Sequence, residues 1–179
     1  MRPCASGRAV EPRGIPMSYP EYPEQVYHRE EGEVSAVFRT VDTPPEFGVA
    51  GKDAIHYLAT KASTQGEFGL YRVEMSARAG GPKTHFHKTI SESFFVLDGT
   101  VRLFDGEGWV DAKKGDFLYV PQGGLHAFRN DSDAPAEMLM IFAPGAPREE
   151  YFEGLAAMAD ATDEERAEFF VRHDSYFVE

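Results

Sequence analysis

At 179 residues the chain has the length of one domain and can bury a core without disulfide or metal staples. Its 18 Lys and Arg stand against 30 Asp and Glu, and the formal net charge of −12 argues against nucleic acid and anionic membranes as partners. The single cysteine, Cys4, excludes a disulfide framework or a thiolate metal cluster within one chain and is typical of a reducing, cytoplasmic compartment.

The N-terminal stretch is rich in Pro, Gly and Arg and offers little apolar surface to bury. It lacks the apolar run of roughly 7–15 residues that a secretory signal requires. We therefore predict that residues 1–20 form a disordered extension, with Met17 as an alternative start of translation. Elsewhere no apolar stretch approaches the ~20 residues needed to cross a bilayer, so we expect a soluble protein.

From about Val34, short runs of β-branched and aromatic residues alternate with Gly, Pro and Asp, which is typical of an all-β sandwich or barrel. Two Asp-Gly pairs, Asp98-Gly99 and Asp105-Gly106, predict hairpin turns and hence an antiparallel meander at the centre of the chain. The predicted strands are residues 34–40, 55–60, 68–76, 93–97, 101–104, 108–111, 116–120, 126–129 and 137–142.

After Pro147 the pattern becomes charged, Ala-rich and helical, with predicted amphipathic helices over residues 148–158 and 163–172. Thr162 and Glu165 form a capping-box signature for the second helix. We expect a β-barrel over residues 21–147 and a helical segment over 148–179 packed on the outside of the barrel or on a second subunit. The apolar side chains expected at this contact are Phe152, Leu155, Phe169 and Phe170.

The chain's metal-binding residue types are concentrated around His85 and His87. Alternate side chains of a strand face the same way, so these two imidazoles can share one ion. Glu92 adds a carboxylate five positions later, and His126 is a fourth donor. This ligand set favours Fe, Mn, Ni or Co over thiolate-seeking ions, so we predict one divalent transition metal per chain, bound with open coordination positions.

These residues resemble the two motifs of the cupin superfamily, Gly-x5-His-x-His-x3,4-Glu-x6-Gly and Gly-x5-Pro-x-Gly-x2-His-x3-Asn. The first motif is present with one departure, because Ala79 replaces its leading glycine and Gly80 and Gly81 follow. The resemblance covers roughly residues 68–144, and the linker of residues 100–114 is short, as in compact bacterial single-domain cupins. The matching positions are His85, His87, Glu92 and Gly99 for the first motif and Gly115, Pro121, Gly123, His126 and Asn130 for the second.

The resemblance implies the cupin double-stranded β-helix, an all-β jelly-roll barrel with its core motifs over residues 79–130 and short C-terminal helices beside it. It also implies that His85, His87, Glu92 and His126 are the metal ligands. Because inward positions alternate along a strand, Phe94, Val96 and Phe128 are predicted to line the cavity, with Phe94 and Phe128 as candidate substrate-binding residues, although ordinary barrel filling explains them equally well. The remaining histidines, His28, His56 and His173, are interpreted as structural.

Three functions remain open at this point. The chain is similar to single-domain bacterial quercetin or flavonol dioxygenases in residues 101–104, 115–117, 126–129 and 151–153. The first hypothesis is therefore a metal-dependent dioxygenase acting on a small aromatic or enolisable substrate, with Glu92 as metal ligand and catalytic base. The second is a metal-dependent cyclase, lyase or isomerase that needs no O₂, and the third is a non-catalytic binding or sensor protein.

The resemblance also implies a homodimer. Cupins generally pair through outer sheets and N-terminal strands, and the apolar faces around residues 34–38 and 151–155 suit such a contact. No DNA-binding segment is visible, so the expected partners are a small-molecule substrate, O₂ and a second copy of the chain.

Overall fold

The structure, a computed structural model, describes residues 22–178. The predicted disordered extension over residues 1–20, which includes Cys4 and Met17, lies outside the described residues. Of the described residues, 39–178 belong to one compact unit and 22–38 to another. No helix among the described residues is both long enough and apolar enough to cross a membrane.

Residues 22–40 contain no strand, and the strand predicted over residues 34–40 is therefore wrong. Val34, Val37 and Phe38 are at least 86% exposed. A run of β-branched and aromatic residues forms a strand only where a neighbouring strand pairs with its backbone, and no pairing in the described part of the chain includes this run. The homodimer that this run was expected to support stays a prediction.

Eleven strands form between residues 47 and 177. The eight strands predicted from residue 55 onward are confirmed to within two residues at each end. The other three are two residues long, too short to leave a periodic signal in the sequence. The strands are β1 (Phe47–Gly48), β2 (Ala54–Ala59), β3 (Gly69–Met75), β4 (His85–Phe86), β5 (Ser91–Asp98), β6 (Thr100–Phe104), β7 (Trp109–Lys113), β8 (Phe117–Val120), β9 (Ala127–Arg129), β10 (Ala136–Ala143) and β11 (Tyr176–Phe177).

The strands form an antiparallel double-layer arrangement rather than a meander. One sheet has the order β1-β2-β3-β10-β5-β8, a second has the order β7-β6-β9, and β11 pairs with β4. Burial alternates along β3 and β10, as expected for strands with one face toward a core. Residues of both larger sheets, such as Met138 and Leu103, share one buried hydrophobic cluster.

Only one of the two Asp-Gly pairs makes a hairpin. Asp105-Gly106 connects the paired strands β6 and β7, as predicted. Asp98-Gly99 connects β5 and β6, which lie in different sheets, so the predicted hairpin and the meander are wrong there. Gly99 has a φ of +71°, and a Cβ atom at this position would lie 2.5 Å from the carbonyl oxygen of Pro135. The glycine therefore turns the chain from one sheet into the other.

The C-terminal segment contains α1 (Arg148–Gly154), a 3₁₀ helix (Leu155–Ala159) and α2 (Asp163–Arg172). The predicted helix over residues 148–158 is thus divided, whereas α2 has the predicted bounds and its Thr162–Glu165 capping box is confirmed. Tyr151, Phe152 and Phe169 are buried in the same cluster as the barrel residues. Tyr151 and Phe152 are therefore part of the core of the chain, and the dimer contact around residues 151–155 stays a prediction.

Candidate metal centre

Three structural elements bring the four predicted ligands together. His85 lies in β4 and His87 just beyond it, Glu92 lies in β5, and His126 immediately precedes β9. The backbones of His85 and His126 are joined by two hydrogen bonds of 3.0 Å, one in each direction. His85 and His87 are both buried, while Phe86 between them is partly exposed and stacks on Tyr176. The predicted alternation at this strand is confirmed.

The four side chains form one buried cluster. None is more than 3% exposed, and each offers one ligand atom within 4.8 Å of the others. Glu92 Oε2 lies 2.9 Å from Nε2 of His87 and 2.8 Å from Nε2 of His126. Donors that are more than thirty positions apart in the sequence therefore meet at one point inside the barrel.

The protein backbone fixes the orientation of all three imidazoles. Nδ1 of His85 lies 2.9 Å from the carbonyl oxygen of Lys83, and Nδ1 of His126 lies 3.0 Å from that of Gly124. Nδ1 of His87 likewise donates to the carbonyl oxygen of Asp174. When Nδ1 carries the donated proton, the lone pair of a neutral imidazole is on Nε2. Each ring thus turns a metal-binding nitrogen toward the cluster, as in known metal sites.

This arrangement fits a cation. Two Nε2 lone pairs facing the carboxylate oxygen of Glu92 at hydrogen-bond distance repel it unless a proton or a metal ion lies among them. A divalent transition metal satisfies three imidazoles and one carboxylate together, and these donor types suit Fe, Mn, Ni, Co and Zn alike. The cluster is therefore compatible with a metal site, and the donor set does not select one of these ions.

The protonation states also suit metal binding. Burial lowers the pKa of His85 to about 4, and the neighbouring His126 adds to this effect. Burial opposes ionisation of Glu92, but hydrogen bonds from His126 and His87 outweigh it and hold the pKa of Glu92 well below its usual range. Burial likewise opposes a charge on His126, but Glu92 raises its pKa. At neutral pH His85 is therefore neutral and Glu92 ionised, which are the forms in which an imidazole and a carboxylate bind a metal.

The C-terminal segment contacts the part of the chain that carries His85 and His87, a role that the sequence did not reveal. Besides the carbonyl that accepts from His87, Asp174 provides a carboxylate that accepts from the backbone N–H groups of Lys88, at 3.0 Å, and Thr89, at 2.8 Å. Strand β11 pairs with β4, and the Phe177 ring stacks on that of His85 with 5.2 Å between centroids. Residues 174–177 thus fix the loop that carries His85 and His87.

A cavity of about 1180 Å³ opens beside the cluster. His85 and Glu92 line it, while His87 and His126 are not among its wall residues, so the donors are approached from the side of His85 and Glu92. Apolar walls come from the barrel and from the C-terminal segment. These walls include Ile55, Val73, Met140, Phe128, Tyr151, Phe152, Leu155, Phe170 and Phe177.

Of the three residues predicted to line this cavity, Phe128 does so. Phe94 and Val96 are fully buried and are absent from the cavity wall, so the prediction that they line it is wrong. The Phe94 ring lies 5.5 Å from that of Phe128 and 6.0 Å from that of His126, between centroids. Phe94 therefore packs against the rings of Phe128 and His126 inside the core. A substrate contact with Phe128 stays a prediction.

Arg148 is a second residue that the sequence analysis missed. It is 4% exposed and lines the cavity. It lies three and four positions before Tyr151 and Phe152, and thus on the same helical face. That spacing is the signal that places Arg148 on the buried side of α1.

The other histidines lie apart from the cluster. His56 is buried, and its ring Nε2 lies 2.8 Å from Glu74 Oε1 and 2.9 Å from an Arg72 guanidinium nitrogen. His173 packs on Phe169, with 4.6 Å between ring centroids. His28 is exposed. None of the three belongs to the metal-ligand cluster found among the described residues.

Gly81, four residues before His85, allows a test of the close packing between two backbone segments beside the cluster. A Cβ atom at Gly81 would lie 1.8 Å from the carbonyl oxygen of Phe128, whereas one at Gly80 would have nothing within 4 Å. We expect Gly81→Ala to lower the free energy of unfolding by about 2–3 kcal/mol, because two backbone segments beside the ligands must move apart. Gly80→Ala is the matched control and should change it by less than about 0.5 kcal/mol. Equal urea midpoints for the two variants would contradict this account.

Comparisons with known proteins agree with this geometry. The model of the Cupin_2 family, described as a cupin domain, matches residues 71–142, which include all four cluster residues. Over 99 residues the chain is 29% identical to quercetin 2,3-dioxygenase of Bacillus subtilis (strain 168), a match that covers 52% of the chain and 27% of that protein. It is 36% identical over 61 residues to an uncharacterized protein of Aquifex aeolicus (strain VF5), covering 34% of the chain and 49% of that protein. The chain thus matches half or less of the length of these curated relatives.

Solved structures share the fold. A predicted oxalate decarboxylase from Thermotoga maritima superposes with a TM-score of 0.54 at 19% identity, covering 61% of this chain and 99% of that one. Ectoine synthase from P. lautus superposes with a TM-score of 0.53 at 16% identity, covering 66% of this chain and 85% of that one. These identities support the architecture alone. Residues 71–142 therefore match a cupin domain, the chain has the fold of the double-stranded β-helix, and the buried His/Glu cluster lies within the matched residues.

Proposed function

We propose that the chain is a metal-dependent enzyme that acts on a small aromatic or enolisable substrate, as a dioxygenase of the quercetinase type. The observation that carries this proposal is the position of Glu92. Its Oε2 takes both imidazole contacts, and its Oε1 takes no hydrogen bond from the described residues. Because Glu92 also lines the cavity, one carboxylate can serve the metal and a substrate together.

Nε2 of His85, His87 and His126 and the carboxylate of Glu92 would hold the metal. When bound, the metal supplies a position for a substrate oxygen and lowers the pKa of a hydroxyl placed there. Glu92 Oε1 then accepts the hydroxyl proton. The three histidines keep their orientation throughout, since each Nδ1 is held by a backbone carbonyl. The apolar walls exclude water from the resulting electron-rich anion.

The weak basicity of the Glu92 carboxylate limits the class of substrate further. Beside a bound cation the carboxylate of Glu92 would be ionised and able to accept a proton, but it would be a weak base. Proton transfer to a weak base is favourable only from an acidic donor. A phenolic or enolic hydroxyl, made more acidic by a cation, meets this condition better than an ordinary alcohol.

The choice of a dioxygenase is supported by the similarity to the quercetin 2,3-dioxygenase of Bacillus subtilis. That match covers about a quarter of the relative, which is why its substrate enters here only as part of the proposal. Glu92 and the cavity serve an oxygen-independent reaction equally well, so a cyclase, lyase or isomerase is the alternative that the experiment must separate.

The test is turnover with and without O₂. Protein loaded with Fe, Mn, Ni or Co is incubated with flavonols, β-diketones and aromatic hydroxy acids in an oxygen-electrode cell. We expect one molecule of O₂ consumed per molecule of substrate, with both atoms of ¹⁸O₂ appearing in product. Turnover that continues unchanged in an anaerobic cell would replace the dioxygenase by the oxygen-independent alternative. Stoichiometric metal without any turnover would favour a binding or sensor protein.

A further inference from the structure

Arg148 is a buried cation beside the metal centre. It begins α1 and is 4% exposed. One guanidinium nitrogen, Nη1, donates to the carbonyl oxygen of His173 at 2.7 Å and lies 3.4 Å from the Ser175 hydroxyl. The guanidinium carbon lies 4.0 Å from the centre of the Tyr151 ring. Its buried Nε has no hydrogen-bond partner among the described residues.

The charge of Arg148 has no ion-pair partner in the described part of the chain. Burying an unpaired charge is costly, so such a group usually has a counter-ion. Arg166, the other arginine on the cavity wall, pairs with Asp163 at 2.8 Å. Glu74, another acid on the wall, pairs with Arg72 and His56. Of the two arginines on this wall, only Arg148 thus lacks an ion-pair partner among the described residues, and Lys83, the wall's other cation, is exposed to solvent.

Metal binding increases this positive charge. Glu92 contributes −1, a divalent metal +2 and Arg148 +1, which gives +2 for these groups when the histidines are neutral. Between largely apolar walls such a charge favours an anion over a neutral molecule of the same shape. A guanidinium also matches a carboxylate geometrically, because its planar N–H groups can donate to both oxygens.

We propose that Arg148 is a binding residue for the carboxylate of the substrate, and that the site takes apolar, ring-sized organic acids. The inference rests on the proposed function and narrows its substrate class. The carboxylate meets Arg148, the apolar body lies against Phe128, Phe152 and Phe177, and a hydroxyl or keto oxygen reaches the metal centre. The size of the cavity leaves room for such a molecule, since 1180 Å³ exceeds what a benzoate-sized ligand fills.

A purely structural role for Arg148 makes a different prediction. By donating to His173, Arg148 supports the turn whose Asp174 carbonyl accepts from His87. If that were its only role, its loss would lower stability and metal affinity and would leave the choice between an anion and its neutral analogue unchanged. Charge selectivity of ligand binding is therefore the readout that separates the two roles.

The experiment compares benzoate with benzamide, which have nearly the same shape, by titration calorimetry on zinc-loaded protein. Zinc is used because it is redox-inert and suits the same donors. We expect the wild type to bind benzoate at least about tenfold more tightly than benzamide. Arg148→Gln should reduce this ratio by about tenfold while zinc content and melting temperature are retained. Arg166→Gln, the matched arginine control on the same wall, should leave the ratio within about twofold.

An absent preference in the wild type, or an unchanged ratio in a zinc-loaded Arg148→Gln variant, would overturn the inference. Should Arg148→Gln fail to fold or to hold zinc, Arg148→Lys replaces it, since lysine keeps the charge and loses the planar fork. A ratio reduced at least threefold in that variant supports the inference, and an unchanged ratio overturns it. Zinc stoichiometry is recorded separately, so an empty metal centre counts against the proposed function and is not confused with a failure of Arg148.

Discussion

Replacing His87 and His126 together by alanine is expected to lower the affinity for divalent transition metals by at least about 10³-fold. Loss of a single outer partner of a metal ligand typically costs about 10–100-fold, and this variant removes two of the four inner donors. The remaining pair, His85 and Glu92, leaves a weak two-donor site. Metal content is measured by elemental analysis after dialysis against a buffer of fixed free metal concentration.

The control for this variant is His56→Gln. His56 is also a buried histidine that contacts a carboxylate, but it lies outside the cluster. It should retain wild-type metal content even if its melting temperature falls, because its partners are Glu74 and Arg72. Equal metal content in the wild type and a folded double variant would show that the bound metal lies somewhere other than this cluster.

Glu92→Gln is expected to have the largest effect on turnover. At saturating metal, kcat should fall by about 10²–10⁴-fold, the usual contribution of a general base, because an amide cannot accept the substrate proton. The amide keeps the size of the side chain, and it can still contact His87 and His126. Metal affinity should fall less than in the double histidine variant, since three imidazoles remain.

The matched control is Glu74→Gln, which removes an acid from the same cavity wall that also contacts a histidine. Its kcat should stay within about threefold of the wild type, because Glu74 has no contact with the metal cluster. The prediction is checked on the substrate that the wild type turns over, with metal occupancy measured in every sample. A fully loaded Glu92→Gln variant with wild-type kcat would rule out Glu92 as the base.

The His/Glu cluster could be predicted from the sequence because strand periodicity and the spacing of the cupin motifs together define its four residues. The two-residue period of a strand places His85 and His87 on one face, and the later donors follow at motif spacing. Most strands could be predicted for the same reason, since antiparallel strands with one face toward a core keep the two-residue alternation. The three two-residue strands could not, because β4, β1 and β11 are too short to show a period.

The missed features depend on long-range contacts. Asp174 reaches a ring 87 positions away, and Phe177 and Arg148 approach the centre only because the C-terminal segment folds back over the barrel. The hairpin predicted at Asp98-Gly99 is wrong because a dipeptide that accepts positive φ indicates a turn, but it does not determine which sheet the next strand joins. The run from Val34 to Phe38 has strand composition, but no strand in the described part of the chain pairs with it, and composition alone does not supply a pairing strand.

The central claim is that His85, His87, Glu92 and His126 bind one metal ion together. The most direct test is a crystal structure of cobalt-loaded protein with anomalous diffraction recorded at the cobalt edge. The account predicts a single strong peak per chain, about 2.0–2.2 Å from the three Nε2 atoms and from a carboxylate oxygen of Glu92. A cluster without a peak at full cobalt occupancy, or a peak bound by other residues, would contradict it.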